Sequence, residues 1–200
     1  MTRARLLVAC ALVGLIGASG CSADSGPALM LAADPTISVV LTDSDIAPDE
    51  PVSFGSMHLC VSAPSTASVT KVSLDHQQGD VRIEAFAVRP NPLTRGADDL
   101  GMLNTSLADY GQGFQPGAPA EVSGVCPKDL LAPTDEEAAA STELGVQLRL
   151  ASGAIGGGSG LVLTYTNDTG KEKTATVPFG VWLCSATCPP SLGQSPMPSN

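Results

Sequence analysis

Cysteine is the residue type with the most definite chemistry in this 200-residue chain, and there are six of them. Cys10 and Cys21 stand near the start, whereas Cys60, Cys126, Cys184 and Cys188 are spread over the remainder. In an oxidising compartment four such thiols are expected to close two disulfides. Three connectivities are open: Cys60–Cys126 with Cys184–Cys188, Cys60–Cys184 with Cys126–Cys188, and Cys60–Cys188 with Cys126–Cys184. The spacing does not choose between them. Cys184-x-x-x-Cys188 has a spacing that zinc accepts, but the other two cysteines make no second compact pair. A redox-active pair would have a two-residue spacer at a helix start, and here the spacer is three residues with Pro189-Pro190 behind it.

Other chemistry-bearing types are sparse. His58 and His76 are the only histidines. With Met57 and Met102 they offer the donors that copper takes, although nothing in their spacing demands a site. Asp43, Asp45, Asp49 and Glu50 are dense enough to hold calcium, yet they lack the glycine and the closing glutamate of an EF-hand. A solvated acidic loop is the simpler expectation. No G-x-S-x-G, S-x-x-K or H-E-x-x-H occurs. No serine has a histidine and an orienting aspartate at a recognisable spacing, so a triad would have to be assembled from distant residues. Gly156 to Gly160 lacks the Gly-Lys-Ser/Thr ending of a phosphate loop. The expectation is no catalytic residue, no metal and no cofactor, with an extracytoplasmic handler of copper or calcium as the alternative.

The elements that would position such groups begin after a leader. Arg3 and Arg5 precede an uncharged apolar run from Leu6 to Ile16, which is too short to span a bilayer and fits a secretory signal. Ala18-Ser19-Gly20-Cys21 follows, and it resembles the lipobox of bacterial lipoproteins, with Ala18 where that family usually has Leu. The resemblance implies that residues 1–20 are a signal peptide and that the Cys21 thiol carries the lipid. The membrane would then be reached through that anchor, on the extracytoplasmic face. Residues 21–35 read as a tether, 36–188 as the folded domain, and 189–200, rich in proline, as a disordered tail.

Within the domain, apolar residues alternate with a period of two, the signature of half-buried strands. Seven rows are visible: Ile37 to Leu41, Met57 to Val61, Thr70 to His76, Val81 to Ala87, Leu144 to Leu150, Leu161 to Tyr165, and Val177 to Leu183. Asn167-Asp168-Thr169-Gly170 reads as a hairpin turn, and Gln77-Gln78-Gly79-Asp80 as another connection. Gly156 to Gly160 reads as a flexible link. The one helical candidate, 134–141, opens with Thr134-x-x-Glu137 as a capping box. Ser53-Phe54-Gly55 and Pro178-Phe179-Gly180 echo one another and suggest two similar neighbouring strands. The fold expected is all-β: an immunoglobulin-like β-sandwich of about seven antiparallel strands with one long irregular insert at 89–125.

Charge bounds the partners. The chain has 10 basic and 20 acidic residues, a net of −10, and both leader arginines are counted in it. Binding nucleic acid by phosphate neutralisation is excluded on that balance. The expected function is a lipid-anchored binding or accessory module of the cell envelope without catalytic activity, meeting an envelope protein or the cell wall. Tyr110 and Phe114, on the insert, are the candidate partner-binding residues, because exposed rings on a loop supply contact area at low entropic cost; the other reading is that both rings fold back to cap one open end of the sandwich. Cys21→Ser is expected to abolish metabolic lipid labelling and to release the protein from membranes. A mutant that stayed with membranes through a high-salt wash would contradict the lipobox reading.

Overall fold

A computed structural model describes residues 27–31, 38–41, 49–92, 98–129, 134–151 and 155–185. The leader, Cys21, Cys188 and the 189–200 stretch lie outside the described residues. Thirteen strands and two short helices are present among the described ones. In chain order they are β1 (Leu29–Leu31), β2 (Ser38–Leu41), β3 (Pro51–Val61), β4 (Ala67–Asp75), β5 (Gln78–Gly79), β6 (Val81–Pro90), β7 (Met102–Leu103), α1 (Leu107–Tyr110), β8 (Ala120–Val122), α2 (Asp135–Ala139), β9 (Thr142–Leu150), β10 (Ile155–Gly158), β11 (Gly160–Asn167), β12 (Glu172–Val177) and β13 (Gly180–Cys184).

One sheet has the order β1-β3-β9-β6, with β7 also on β3. Facing it are β12-β11-β4-β8 and β2-β13-β10-β5. These last two are halves of one bent ladder. Its hairpin runs from Ile155↔Cys184 to Thr166↔Glu172 and is interrupted only around Ser159 and Pro178. The all-β sandwich is therefore the fold. Among the described strands, the one parallel pairing is β2 on β13.

The alternating rows explain the packing. Leu144, Val146, Leu148 and Leu150 of β9 face Leu161, Leu163 and Tyr165 of β11 in one buried cluster. Each such side chain contributes about 1.5–3 kcal/mol by leaving water. The two echoed phenylalanines meet across this core: the rings of Phe54 and Phe179 stack at 5.2 Å. Phe54 is on β3 and Phe179 lies in the break between β12 and β13, so the echo marks a pair of facing residues instead.

β3 is longer than its alternation suggests because it contains a bulge. Its residues in the main core run Val52, Phe54, then Met57, Leu59, Val61, and the ladder to β9 shifts between Phe54 and Met57. Ser56 takes a positive φ of 63° there. The extra residue breaks the period of two and hides the first half of the strand from a pattern search.

Several expectations are corrected. Leu29–Leu31 pairs with Leu59–Val61, so the fold begins inside the stretch expected as tether. The Val177 to Leu183 row is two strands. Gln77 to Asp80 carries the chain from one sheet to the other, with Gln78–Gly79 paired to Gly156 and Gly157. Of the segment expected as a flexible link, Gly156 to Gly158 are buried in β10 and Gly160 opens β11. A Cβ on Gly157 would collide with the Val181 carbonyl, and one on Gly156 would lie 2.9 Å from the Val81 side chain.

Two local signals hold as read. At the hairpin, Gly170 has φ 75°, and Asn167 Oδ1 accepts from the backbone N–H of Thr169 and Lys171. At α2, the Thr134 backbone N–H and hydroxyl donate to Glu137, and Thr134 Oγ1 accepts in return from the Glu137 backbone. Those donors hold the Glu137 carboxyl below the usual glutamate range.

Cys60 and Cys126 form a disulfide with a sequence separation of 66, which selects the first of the three connectivities. Closing a loop of that length is worth about 4 kcal/mol. Cys184 is disulfide-bonded as well. The close packing of β10 yields a test by urea denaturation. Gly157→Ala should cost about 3 kcal/mol, since backbone has to move. Gly170→Ala, at a positive φ with open space around it, should cost about 1 kcal/mol. Equal costs would mean that the glycines of β10 are not there for close approach.

Candidate functional site

The insert is the part of the chain that the sandwich does not require. Leaving β6, it pairs β7 with Ser53 and Phe54, lays α1 over β9, rounds the edge of the sheet and adds β8 to β4 on the other side. It ends at the Cys60–Cys126 bond. It therefore wraps one sheet from the outer face to the opposite layer, and β9 is buried on both of its faces.

Under this wrap lies an ion pair. Arg89 is 3% exposed and Glu143 0%. Arg89 Nε donates to Glu143 Oε2 at 2.6 Å. Glu143 Oε1 accepts from the backbone N–H of Leu100 at 2.7 Å and of Ser56 at 3.0 Å. Arg89 Nη1 and Nη2 donate to the carbonyls of Gln112 and Asp98. A buried charge pair is tolerated only when its remaining donors and acceptors are met like this. Gly55 makes the arrangement possible: a Cβ there would sit 2.7 Å from Glu143 Oε1.

Tyr110 and Phe114 belong to this structure. The Arg89 guanidinium lies 4.7 Å from the Phe114 ring centroid and 5.6 Å from that of Tyr110. Phe114 is 4% exposed and forms a second apolar cluster with Ala87, Leu100 and Leu107, against which Tyr110 packs. Gly145 leaves room for the ring, since a Cβ would touch Phe114 Cε1 at 2.8 Å. Of the two readings, that of exposed rings is thus corrected: the rings fold back onto the protein, though over the outer face of the sheet and not over an open end. Tyr110 ends α1, and the chain then turns through Gly111, Gln112 and Gly113, all at positive φ, which brings Phe114 back over the same guanidinium.

A polar relay runs beside the pair. Asp99 Oδ2 lies 3.3 Å from His58 Nε2, His58 Nδ1 lies 3.3 Å from Ser141 Oγ, and Asn91 Nδ2 donates to the same Oγ at 3.0 Å. The order is carboxylate, imidazole, hydroxyl, as in a nucleophilic triad. Residues 41 and 83 positions apart meet only through the bulged β3 and the insert, so no linear motif could have signalled it. Ser141 Oγ, however, is already held by Asn91, and Ser141 is 3% exposed. In this conformation the relay fastens the insert to β3 and β9 and presents no nucleophile.

A groove of about 790 Å³ runs along the open side of the sandwich. One wall is the β4 segment Ser68 to Val72, the other is Ile83 to Phe86 of β6, and the insert closes an end with Pro116 to Ala120. Ile83 and Phe86 are partly buried and continuous with the main core. Glu84 turns its carboxylate away to the outer face, where the Arg149 guanidinium at 2.6 Å holds it ionised below the usual glutamate range.

The imagined copper donors do not converge. Met57 is in the core, and His58, the next residue on the strand, engages Asp99 and Ser141. His76 is exposed at its turn. Asp43 and Asp45 lie outside the described residues, and Asp49 and Glu50 are exposed. Among the described residues, no group of three or more His, Cys, Asp or Glu could hold a metal.

No protein-family model matches this chain, and no curated protein matches it. The geometry of the wrap carries its own test. Arg89→Ala should destabilise by about 3–5 kcal/mol, because Glu143 stays buried without its cation. Phe114→Ala should cost about 3 kcal/mol or more, and Tyr110→Ala clearly less. Chemical denaturation that left Phe114→Ala as stable as the parent would show that the ring is not part of the packed face.

Proposed function

We propose that this chain is a lipid-anchored binding module of the cell envelope, an immunoglobulin-like sandwich without catalytic activity, and that it binds through the groove between β4 and β6. The groove carries this reading. It is a large concavity, and its apolar wall is continuous with the buried core, as ligand sites are. Strand order supports the immunoglobulin-like part. β1-β3-β9-β6 opposite β12-β11-β4 follows the A-B-E-D and G-F-C pattern of that sandwich. The lipobox resemblance supports the anchor, and among the described residues no helix is long and apolar enough to cross a membrane.

The carboxylate–imidazole–hydroxyl order of Asp99, His58 and Ser141 favours a second reading, a hydrolase whose site opens when the insert lifts. A fluorophosphonate separates the two, since it labels an activated serine. No labelling of Ser141 is expected. Stoichiometric, His58-dependent labelling would replace the binding module with the hydrolase. For the groove, a photo-crosslinking amino acid at Ala118 should yield mass-shifted adducts in the native envelope, and one at Tyr110 should not. Adducts at Tyr110 alone would move the binding surface to the insert.

A further inference from the structure

Both strand edges that flank the groove are interrupted. The β4–β11 ladder steps from Val69↔Tyr165 to Lys71↔Thr164 and leaves Thr70 unopposed. The β6–β9 ladder steps from Ile83↔Leu148 to Ala85↔Gln147 and leaves Glu84 unopposed. Bulges of this kind twist an edge away from an added strand. The chain's own β8 stops on the β4 edge after pairing Ala120 with Val69, because Pro119 has no N–H to offer the next position. The groove is consequently a poor slot for an extended peptide, and its recognition must come from side chains.

Those side chains are of two kinds. Val72, Ile83 and Phe86 give a narrow apolar floor, and Pro116 and Pro119 give an apolar end. At the rim stands Lys71, flanked by the hydroxyl-bearing Ser68 and Thr70. Lys71 makes no ion pair among the described residues, whereas Arg82, Arg89 and Arg149 each do. A cation without an ion pair beside an apolar channel is locally complementary to an apolar body with an anionic head.

Resting on the groove as the binding site, we propose that its ligand is an amphipathic aliphatic carboxylate. The chain lies along Val72, Ile83 and Phe86, and the carboxylate accepts from the Lys71 ammonium.

Isothermal titration of the full-length chain with decanoate, kept below its micelle concentration, tests this. Hexanoate and decyltrimethylammonium serve as the short-chain and opposite-charge controls. Decanoate should bind one per chain, and hexanoate and the cation at least about tenfold more weakly. Lys71→Gln should weaken decanoate about tenfold, the loss of one charge-assisted contact, and Lys71→Arg should retain it. Ala118→Trp, at an exposed position on the groove wall, should block binding with the melting temperature unchanged. Equal binding of decanoate and decyltrimethylammonium, both blocked by Ala118→Trp, would overturn the anionic ligand while leaving the groove as a binding site. Binding that Ala118→Trp does not affect, or no binding of any probe, would overturn the proposal and the groove with it.

Discussion

The Arg89–Glu143 pair is the contact on which the arrangement of the insert depends. Taking two charges out of water costs several kcal/mol per ion, and attraction between them offsets that only if the other lone pairs and protons are satisfied. Here they are satisfied by backbone. Ser56, Leu100, Asp98 and Gln112 each contribute one N–H or carbonyl, and three of the four come from the insert. The pair thus specifies a path for a segment that has little regular structure of its own. Replacing it with apolar residues of similar volume would supply burial without that instruction, which is where a buried charge pair gains its structural value.

The same contact explains the irregularities around it. A strand that ran regularly through Gly55 and Ser56 would put a side chain where Glu143 and Leu100 approach. The bulge with Ser56 at positive φ turns its N–H onto the carboxylate instead. Gly145, one strand over, leaves the seat for Phe114. The glycines of β10 answer to a different demand, the bend of the long hairpin where β11 passes into β10 and the backbones of β10, β13 and β5 crowd together. In each case glycine marks a close approach, although in the sequence it reads as slack.

Most of the sandwich was legible because its core is written in alternation. Most rows of period two lie on strands, Leu144 to Leu150 above all; the Val177 to Leu183 row is split at Pro178 and Phe179, and the bulge at Glu84 puts Phe86 and Val88, not Ala85 and Ala87, beside Val81 and Ile83 on the main core. What escaped has physical reasons. β1, β5, β7 and β8 are two or three residues long, too short for any period. The first half of β3 is hidden by its bulge, and β10 by its lack of side chains. The candidate sites were harder still. Glu143 reads as the polar member of an alternating row, so its place under the insert depends on what covers that face. His58, Asp99 and Ser141 are linked by no spacing rule. The groove belongs to two sheets and a loop at once, and alternation says nothing of how sheets are apposed.

The insert joins the two candidate features into one argument. Its first half, to Phe114, is held on the outer face by the ion pair and the relay. Its second half turns the edge and supplies the proline-rich end of the groove, then β8, then Cys126. Val61 accepts from Cys126 and donates to Gly124, so this end is fixed to β3 by backbone bonds as well as by the disulfide. A groove whose end wall is a loop would ordinarily be soft, since loops open at little cost. Anchored on both sides of the bend, this wall is tied to the same strand, β3, at Ser53 and Phe54 through β7 and at Cys60 through the disulfide. The covalent bond and the buried charges therefore act on one object, the position of Pro116 to Ala120 relative to Lys71.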